Sequence, residues 1–175
     1  MASCLITAGF TRDCNYRVGG LKKLYFGNRS EIESYTDTVP DDGEINAIVM
    51  VDPGTPYTFF VVEFERNTGV QTQELQVNAG QASVLHTVTF TLGKKDAATI
   101  AELKDMSLGD IVIVAEDNTG HRVILGRNNG LRASVLSDTS GTAEADFNGL
   151  TFTYTGTETE YAQVLDSAFD IDTIL

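Results

Sequence analysis

The sequence predicts a mainly β fold, an antiparallel β-sandwich or barrel with one short flanking α-helix and extended N- and C-terminal arms. Apolar and polar residues alternate with period two over residues 84–92 and again over 150–155, the pattern of strands that bury one face. Turn chemistry such as Asn67-Thr68-Gly69, Asn129-Gly130 and Asn148-Gly149 punctuates the chain at roughly 8 to 12 residue spacing, as in sandwiches and barrels. Residues 96–106 carry a helical start signal in Asp96, followed by Ile100, Ala101 and Leu103 as a short buried stripe.

In chain order, residues 1–44 read as an N-terminal arm and loop, with Leu24-Tyr25-Phe26 as a short strand and Pro40-Asp41-Asp42-Gly43 as a turn. Such an arm packs on its own domain or on a neighbour. Residues 45–165 form the body. Its first strand, 45–51, stops at Pro53-Gly54. Over residues 57–66, Phe60, Val62 and Phe64 fall on one face while Glu63 and Glu65 fall on the other. The turn at 67–69 then predicts a hairpin with residues 70–77, a second strand rich in Gln and Thr that looks edge-like.

The clearest alternation follows. Val84, His86, Val88, Phe90 and Leu92 share one face, and Leu85, Thr87, Thr89 and Thr91 share the other. Beyond the helix, residues 111–115 are apolar on both faces, as a central strand requires, and the turn at 116–120 leads into 122–126 as another hairpin. Leu150, Phe152 and Tyr154 alternate with Thr151, Thr153 and Thr155. In the tail, 166–175, Phe169, Ile171, Thr173 and Leu175 alternate with Ala168, Asp170 and Asp172, which predicts a last strand or an arm added to a neighbour's sheet edge. No repeat or linker divides the chain, so residues 1–175 are expected to form a single domain.

The net charge of −13, from 25 acidic and 12 basic residues, leaves no basic stripe to neutralise phosphates. An acidic wall would instead keep a polyanion mobile. Cys4 and Cys14 are the two cysteines, too few for a disulfide framework, and are expected as reduced thiols. No apolar run is long enough for a membrane span, and no secretory leader is apparent. A cytoplasmic protein without membrane contact is the expectation.

Signatures of chemistry are sparse. His86 and His121 are the two imidazoles. There is no phosphate-binding loop ending in Lys-Ser or Lys-Thr, no Gly-x-Ser-x-Gly elbow and no His-Glu-x-x-His helix. The acidic turns at Glu116-Asp117-Asn118 and Asp146-Phe147-Asn148, the latter with Glu144 upstream, are explained by Asx chemistry without calcium. The pairs Glu63/Glu65 and Asp170/Asp172 read as solvated strand faces. No catalytic, cofactor-binding or metal-binding residue is therefore assigned, and a non-enzymatic protein is expected. An enzyme would need a pocket joining His86 or His121 to a carboxylate. A monomeric binding module would need an aromatic patch on its loops, whereas Tyr16, Tyr35, Tyr57 and Tyr161 are scattered.

From residue 59 to residue 164 the order of features resembles small structural proteins of tailed bacteriophages, in particular tail-tube-like subunits. The resembling run is a long hairpin, an alternating strand ending in Leu92-Gly93-Lys94, a short helix, the hairpin over 110–126 and a final strand pair rich in Gly, Asn and Thr. The opening residues 4–28, with Gly19-Gly20-Leu21-Lys22-Lys23-Leu24-Tyr25-Phe26, are similar to N-termini of virion proteins from phages of Bacteroidetes hosts. The resemblance implies a β subunit assembled in the host cytoplasm into rings, commonly hexameric, that stack into a tube conducting DNA without binding it. A head-tail connector or capsid decoration protein is the alternative. Partners would be other copies and other virion proteins.

In such a ring the hairpin joins neighbouring strands into a continuous inner barrel. Gln71, Gln73, Glu74 and Gln76 would face the lumen. Val70, Leu75, Val77, Leu85, Lys94, Lys95, Phe169 and Ile171 would form assembly contacts. Lys22, Lys23, Arg29, Arg122 and Arg127 would join Lys94 and Lys95 in pairing with acidic residues across those contacts.

Overall fold

Two β-sheets stack around a core of alternating side chains in the computed structural model, which describes residues 18–37, 44–51, 59–78, 80–93, 96–169 and 171. The strands are β1 (Leu21–Asn28), β2 (Ile32–Asp37), β3 (Glu44–Met50), β4 (Phe60–Val62), β5 (Val70–Asn78) and β6 (Gln81–Leu92). After helix α1 (Ala97–Leu108) come β7 (Ile111–Asp117), β8 (Arg122–Leu125), β9 (Arg132–Thr139), β10 (Gly149–Glu158) and β11 (Gln163–Leu165). One sheet has seven strands in the order β2-β3-β11-β8-β7-β1-β4, the other four in the order β5-β6-β10-β9. Every pairing is antiparallel except β11 with β3. The arrangement is sandwich-like, not a closed barrel.

Period two explains how the seven-stranded sheet serves two cores. On β7, Ile111, Ile113 and Ala115 join Val88, Phe90, Phe152 and Tyr154 between the sheets. Val112 and Val114 point the other way, toward Tyr25, Ile45, Phe59 and Ile171. These five β7 side chains are buried, each Ile or Val contributing about 1.5–3 kcal/mol relative to exposure. The central strand expected over 111–115 is thus present, as is its hairpin with β8.

Residues 21–37 are not an arm: β1 lies inside the sheet between β7 and β4, with Leu24, Tyr25 and Phe26 at most 3% exposed. The exposed Lys22-Lys23 pair that precedes them masks this double-sided burial in the sequence.

The hairpin expected between 57–66 and 70–77 is also absent. β4 pairs with β1 in the large sheet, whereas β5 pairs with β6 in the small one. The turn at 67–69 carries the chain across the sandwich instead of back along it. Asn67 takes φ 64 there, and the Glu65 amide already donates to Thr91 O at 2.9 Å. Phe64 does pack against the core, but Phe60 is 61% exposed. The long hairpin is β5–β6, turned at Gly80 with φ +84, a conformation that glycine adopts without steric cost.

Helix α1 starts as expected, the Thr99 amide donating to Asp96 Oδ1 at 2.8 Å. Ile100 and Ala101 of the expected stripe are exposed, Ile100 to 51%, the Leu103 side chain lies outside what is described, and Met106 supplies a contact with the core. At the C-terminus the strand is β11, which precedes the predicted tail strand and links β3 to β8. Cys4, Cys14, Lys94, Lys95, Asp170 and residues 172–175 lie outside the described residues.

Candidate assembly surface

The four-stranded sheet presents one face to the core and a second, polar face away from it. Pairing aligns Thr87 with Thr155, Thr89 with Thr153 and Thr91 with Thr151. These cross-strand threonines suit the pleated backbone, and the Thr89 and Thr153 hydroxyls lie 3.2 Å apart. β5 extends the same face with Val70, Thr72, Glu74 and Gln76, set by the pairing of Val70 with Thr89 and Thr72 with Thr87. Along β5, β6 and β10 this outward set carries one formal charge, Glu74.

Among the described residues neither edge of the sheet carries a further strand, since β5 pairs with β6 alone and β9 with β10 alone, although helix α1 approaches β9. Three successive antiparallel pairings make β5 and β9 run in opposite directions. One outward row reads Val70, Thr89, Thr153, Val135 across the sheet. The valines at its two ends are 49% and 50% exposed. Open, partly apolar edges of this length invite pairing with another chain.

The residues expected at the lumen split between two faces. Glu74 and Gln76 lie outward with the threonines, but Gln71 and Gln73 oppose Val88 and His86 on the core side. Gln73 Oε1 accepts the Ala162 amide at 2.6 Å, and Gln71 Oε1 is buried. A polar composition cannot decide this, because consecutive strand residues alternate faces. Among the expected contact residues, Leu85 lies outward. Leu75 and Val77 are 50% and 64% exposed on the core-side face of the hairpin, beyond the packed interior. Ile171 is 1% exposed within the second core and Phe169 packs against that core, so these two are already engaged within their own chain. Val135 and Leu136 on the β9 edge were missed by the sequence reading, because β9 shows no clean alternation.

The cations expected to bridge copies are largely occupied. Glu116, 4% exposed, binds Lys22 Nζ at 3.0 Å and Arg122 Nε at 3.0 Å. Burial pushes the Glu116 carboxyl up, but hydrogen bonds and charge from Lys22 and Arg122 pull it further down, to a net position below the ordinary carboxylate range. Arg122 also donates to Phe169 O at 3.1 Å, Arg29 donates to Ile32 O at 2.9 Å, and Arg127 donates to Gln163 Oε1.

A polar joint ties the two sheets together behind this surface. His86 is 2% exposed; the Gly126 amide donates to its Nδ1 at 3.4 Å, and its Nε2 lies 3.1 Å from Glu160 O. Those partners assign the proton to Nε2. Glu158, 3% exposed, accepts the Asn128 and Asn129 amides on Oε1 at 3.2 and 2.9 Å. Gly156 leaves room for this connection, since a Cβ there would stand 2.5 Å from Gly130 O. The Arg127 guanidinium lies 5.5 Å from the Tyr35 ring centroid, and burial pushes the Tyr35 hydroxyl up to about 12.

His86 and Glu158 line one cavity, as an enzyme would require, but its volume is about 10 Å3. Both imidazole nitrogens are bonded to backbone groups. The space admits an object the size of a water molecule. His121 sits exposed at the end of the β7–β8 turn, where its amide donates to Asp117 Oδ1 at 2.9 Å. Larger grooves of about 490 and 500 Å3 flank α1, lined by Phe60, Val62, Phe90 and Met106 among others. Among the described residues, no three His, Cys, Asp or Glu side chains gather to hold a metal ion. No described helix is long and apolar enough to cross a membrane.

Burial pushes the His86 imidazole below its ordinary value, against weaker upward pulls from the Glu160 carbonyl and the Glu158 carboxylate. The unfolded chain therefore binds the imidazole proton more readily. The associated stability is present above the unfolded pKa near 6.5 and is lost as pH falls from there toward the lower folded value. We expect the melting temperature to drop between about pH 7 and pH 5, and His86→Gln to flatten that dependence while lowering stability at pH 7. Thermal unfolding of both chains across that range measures it; parallel curves would assign the dependence to other groups.

Compared with protein-family models, with curated proteins and with solved structures, the chain matches none. Fold and surface together define a class among the described residues: mainly β, two antiparallel-rich sheets with one short helix, and a smaller sheet whose two edge strands pair with no further strand.

Proposed function

We propose that the chain is a structural subunit of a tailed-phage virion that assembles through its four-stranded sheet into stacked rings of a tail tube. The observation that carries this reading is the open four-stranded sheet itself. Its two outer strands run in opposite directions, so β5 of one copy and β9 of the next continue the antiparallel order without a break. Contacts of this head-to-tail kind close into a ring when the rotation per copy permits.

Size agrees with a conducting channel. Six copies contribute twenty-four strands, which at about 4.8 Å each give a circumference of roughly 115 Å and a diameter of roughly 37 Å before tilt widens it. Barrels of about 16 to 18 strands already enclose an aqueous channel. The threonine face then lines the lumen, with Glu74 as its one formal charge along β5, β6 and β10. Hydroxyls and a carboxylate offer a polyanion no cationic partner along β5, β6 and β10, and Arg132, which shares this face on β9 opposite Thr155, is already ion-paired with Asp110, so DNA passes without being held. Exposed carboxylates elsewhere, among them Glu33, Glu63, Glu65, Glu102 and Asp105, keep unassembled copies soluble.

Negative-stain electron microscopy of the concentrated protein, with light scattering for its mass in solution, tests the reading. Rings or tubes with an open centre are expected. A particle of 18.9 kDa at every salt concentration would sink it.

A further inference from the structure

We propose that the cavity beside Glu158 is a binding site for one water molecule, which donates a hydrogen bond to Glu158 Oε2 and joins the two sheets. The carboxylate is 3% exposed and its two oxygens differ. Oε1 accepts two backbone amides, whereas Oε2 is buried and accepts nothing from the described protein atoms. An ionised carboxylate offers about four acceptor positions, and a buried oxygen left without a donor costs about 1–3 kcal/mol or more.

The adjoining cavity measures about 10 Å3, at the threshold of about 10–15 Å3 that holds one water. Its walls decide between wet and dry. Empty cavities are lined by apolar side chains, but beside Ile124, Tyr161 and Ala162 this one has His86, Arg127, Asn128 and Glu158 in its walls. A water there reaches the two to four polar partners that buried waters use.

The position gives the water its role. Glu158 ends β10 and His86 belongs to β6, both in the small sheet, while Arg127 and Gln163 belong to the β8 and β11 region of the large one. A bridging water fixes one layer against the other at that end of the sandwich.

Magnetic relaxation dispersion of water nuclei on the intact protein at neutral pH counts waters held inside for long times. We expect the count to fall by one in Ala162→Leu, whose side chain fills the cavity from its wall, relative to the unsubstituted chain. An equal count in a folded Ala162→Leu overturns the proposal. If that variant does not fold, a high-resolution crystal structure of the unsubstituted chain decides: a density peak within hydrogen-bonding distance of Oε2 is the expected result. A dry cavity, a protein donor on Oε2, or anomalous signal at the site after a rubidium soak would each overturn it.

Discussion

Val70→Lys combined with Val135→Lys is expected to disperse the assembled protein into folded monomers, and Val70→Lys combined with Val135→Glu to assemble again. The two valines end the same outward row of the four-stranded sheet, so an unshifted seam between β5 and a neighbour's β9 sets them opposite each other. Two ammonium groups at that position repel across each seam, whereas an ammonium and a carboxylate attract. A directly opposed cross-strand pair is worth about 0.2–1 kcal/mol. A six-membered ring repeats the pair at each contact, which brings the total to several kcal/mol, or several orders of magnitude in the assembly constant. Both sites are about half exposed in the single chain, so folding is spared and melting temperatures stay close to that of the unsubstituted protein. Sedimentation and electron microscopy of the two double variants at low salt make the comparison, because screening weakens the difference as salt rises. Equal assembly of both would remove the β5–β9 seam from the reading.

The sequence made the strands with one buried face readable. Val84, His86, Val88 and Phe90 are all buried on β6, and Phe152 and Tyr154 on β10, because a half-buried strand writes its faces directly into period two. The crossing at 67–69 was not readable. Asn-Thr-Gly signals a change of direction whether the chain returns to the same sheet or enters the other, and only the pairing of Glu65 with Thr91 settles which. β11 was missed because a three-residue strand carries too little pattern, although it is the strand that joins β3 to β8.

The surface divided in the same way. The threonine faces of β6 and β10 were each visible, but their alignment depends on the register of strands far apart in the chain. His86 was readable as a member of the apolar face of its strand. Its neighbour Glu158 was not readable, because nothing local to the end of β10 marks that carboxylate as the acceptor for the Asn128 and Asn129 amides.

Phe90→Ala should produce a loss of stability at the upper end for a single substitution in the interior. The ring is 1% exposed and stacks on Phe152 with centroids 4.9 Å apart and planes 9° from parallel. Phe26, Phe64 and Tyr154 surround it at 5.8, 6.1 and 6.3 Å. Truncation removes the transfer free energy of the ring and leaves a cavity between two sheets that cannot close independently, at a cost of about 3–5 kcal/mol. Lost aromatic pairing adds to that. Against a total stability of about 5–15 kcal/mol, the variant sits near the threshold of folding. Its melting temperature should fall by roughly 6–20 °C, taking about 2–4 °C per kcal/mol for a chain of this size. Thr89→Val, one residue away and facing outward, should change stability by less than about 1 kcal/mol. Thermal or urea unfolding of the pair separates a packed interlayer from an evenly loaded strand. If the two substitutions cost the same, the division of β6 into a core face and a surface face is wrong, and with it the assignment of the threonine array to the outside.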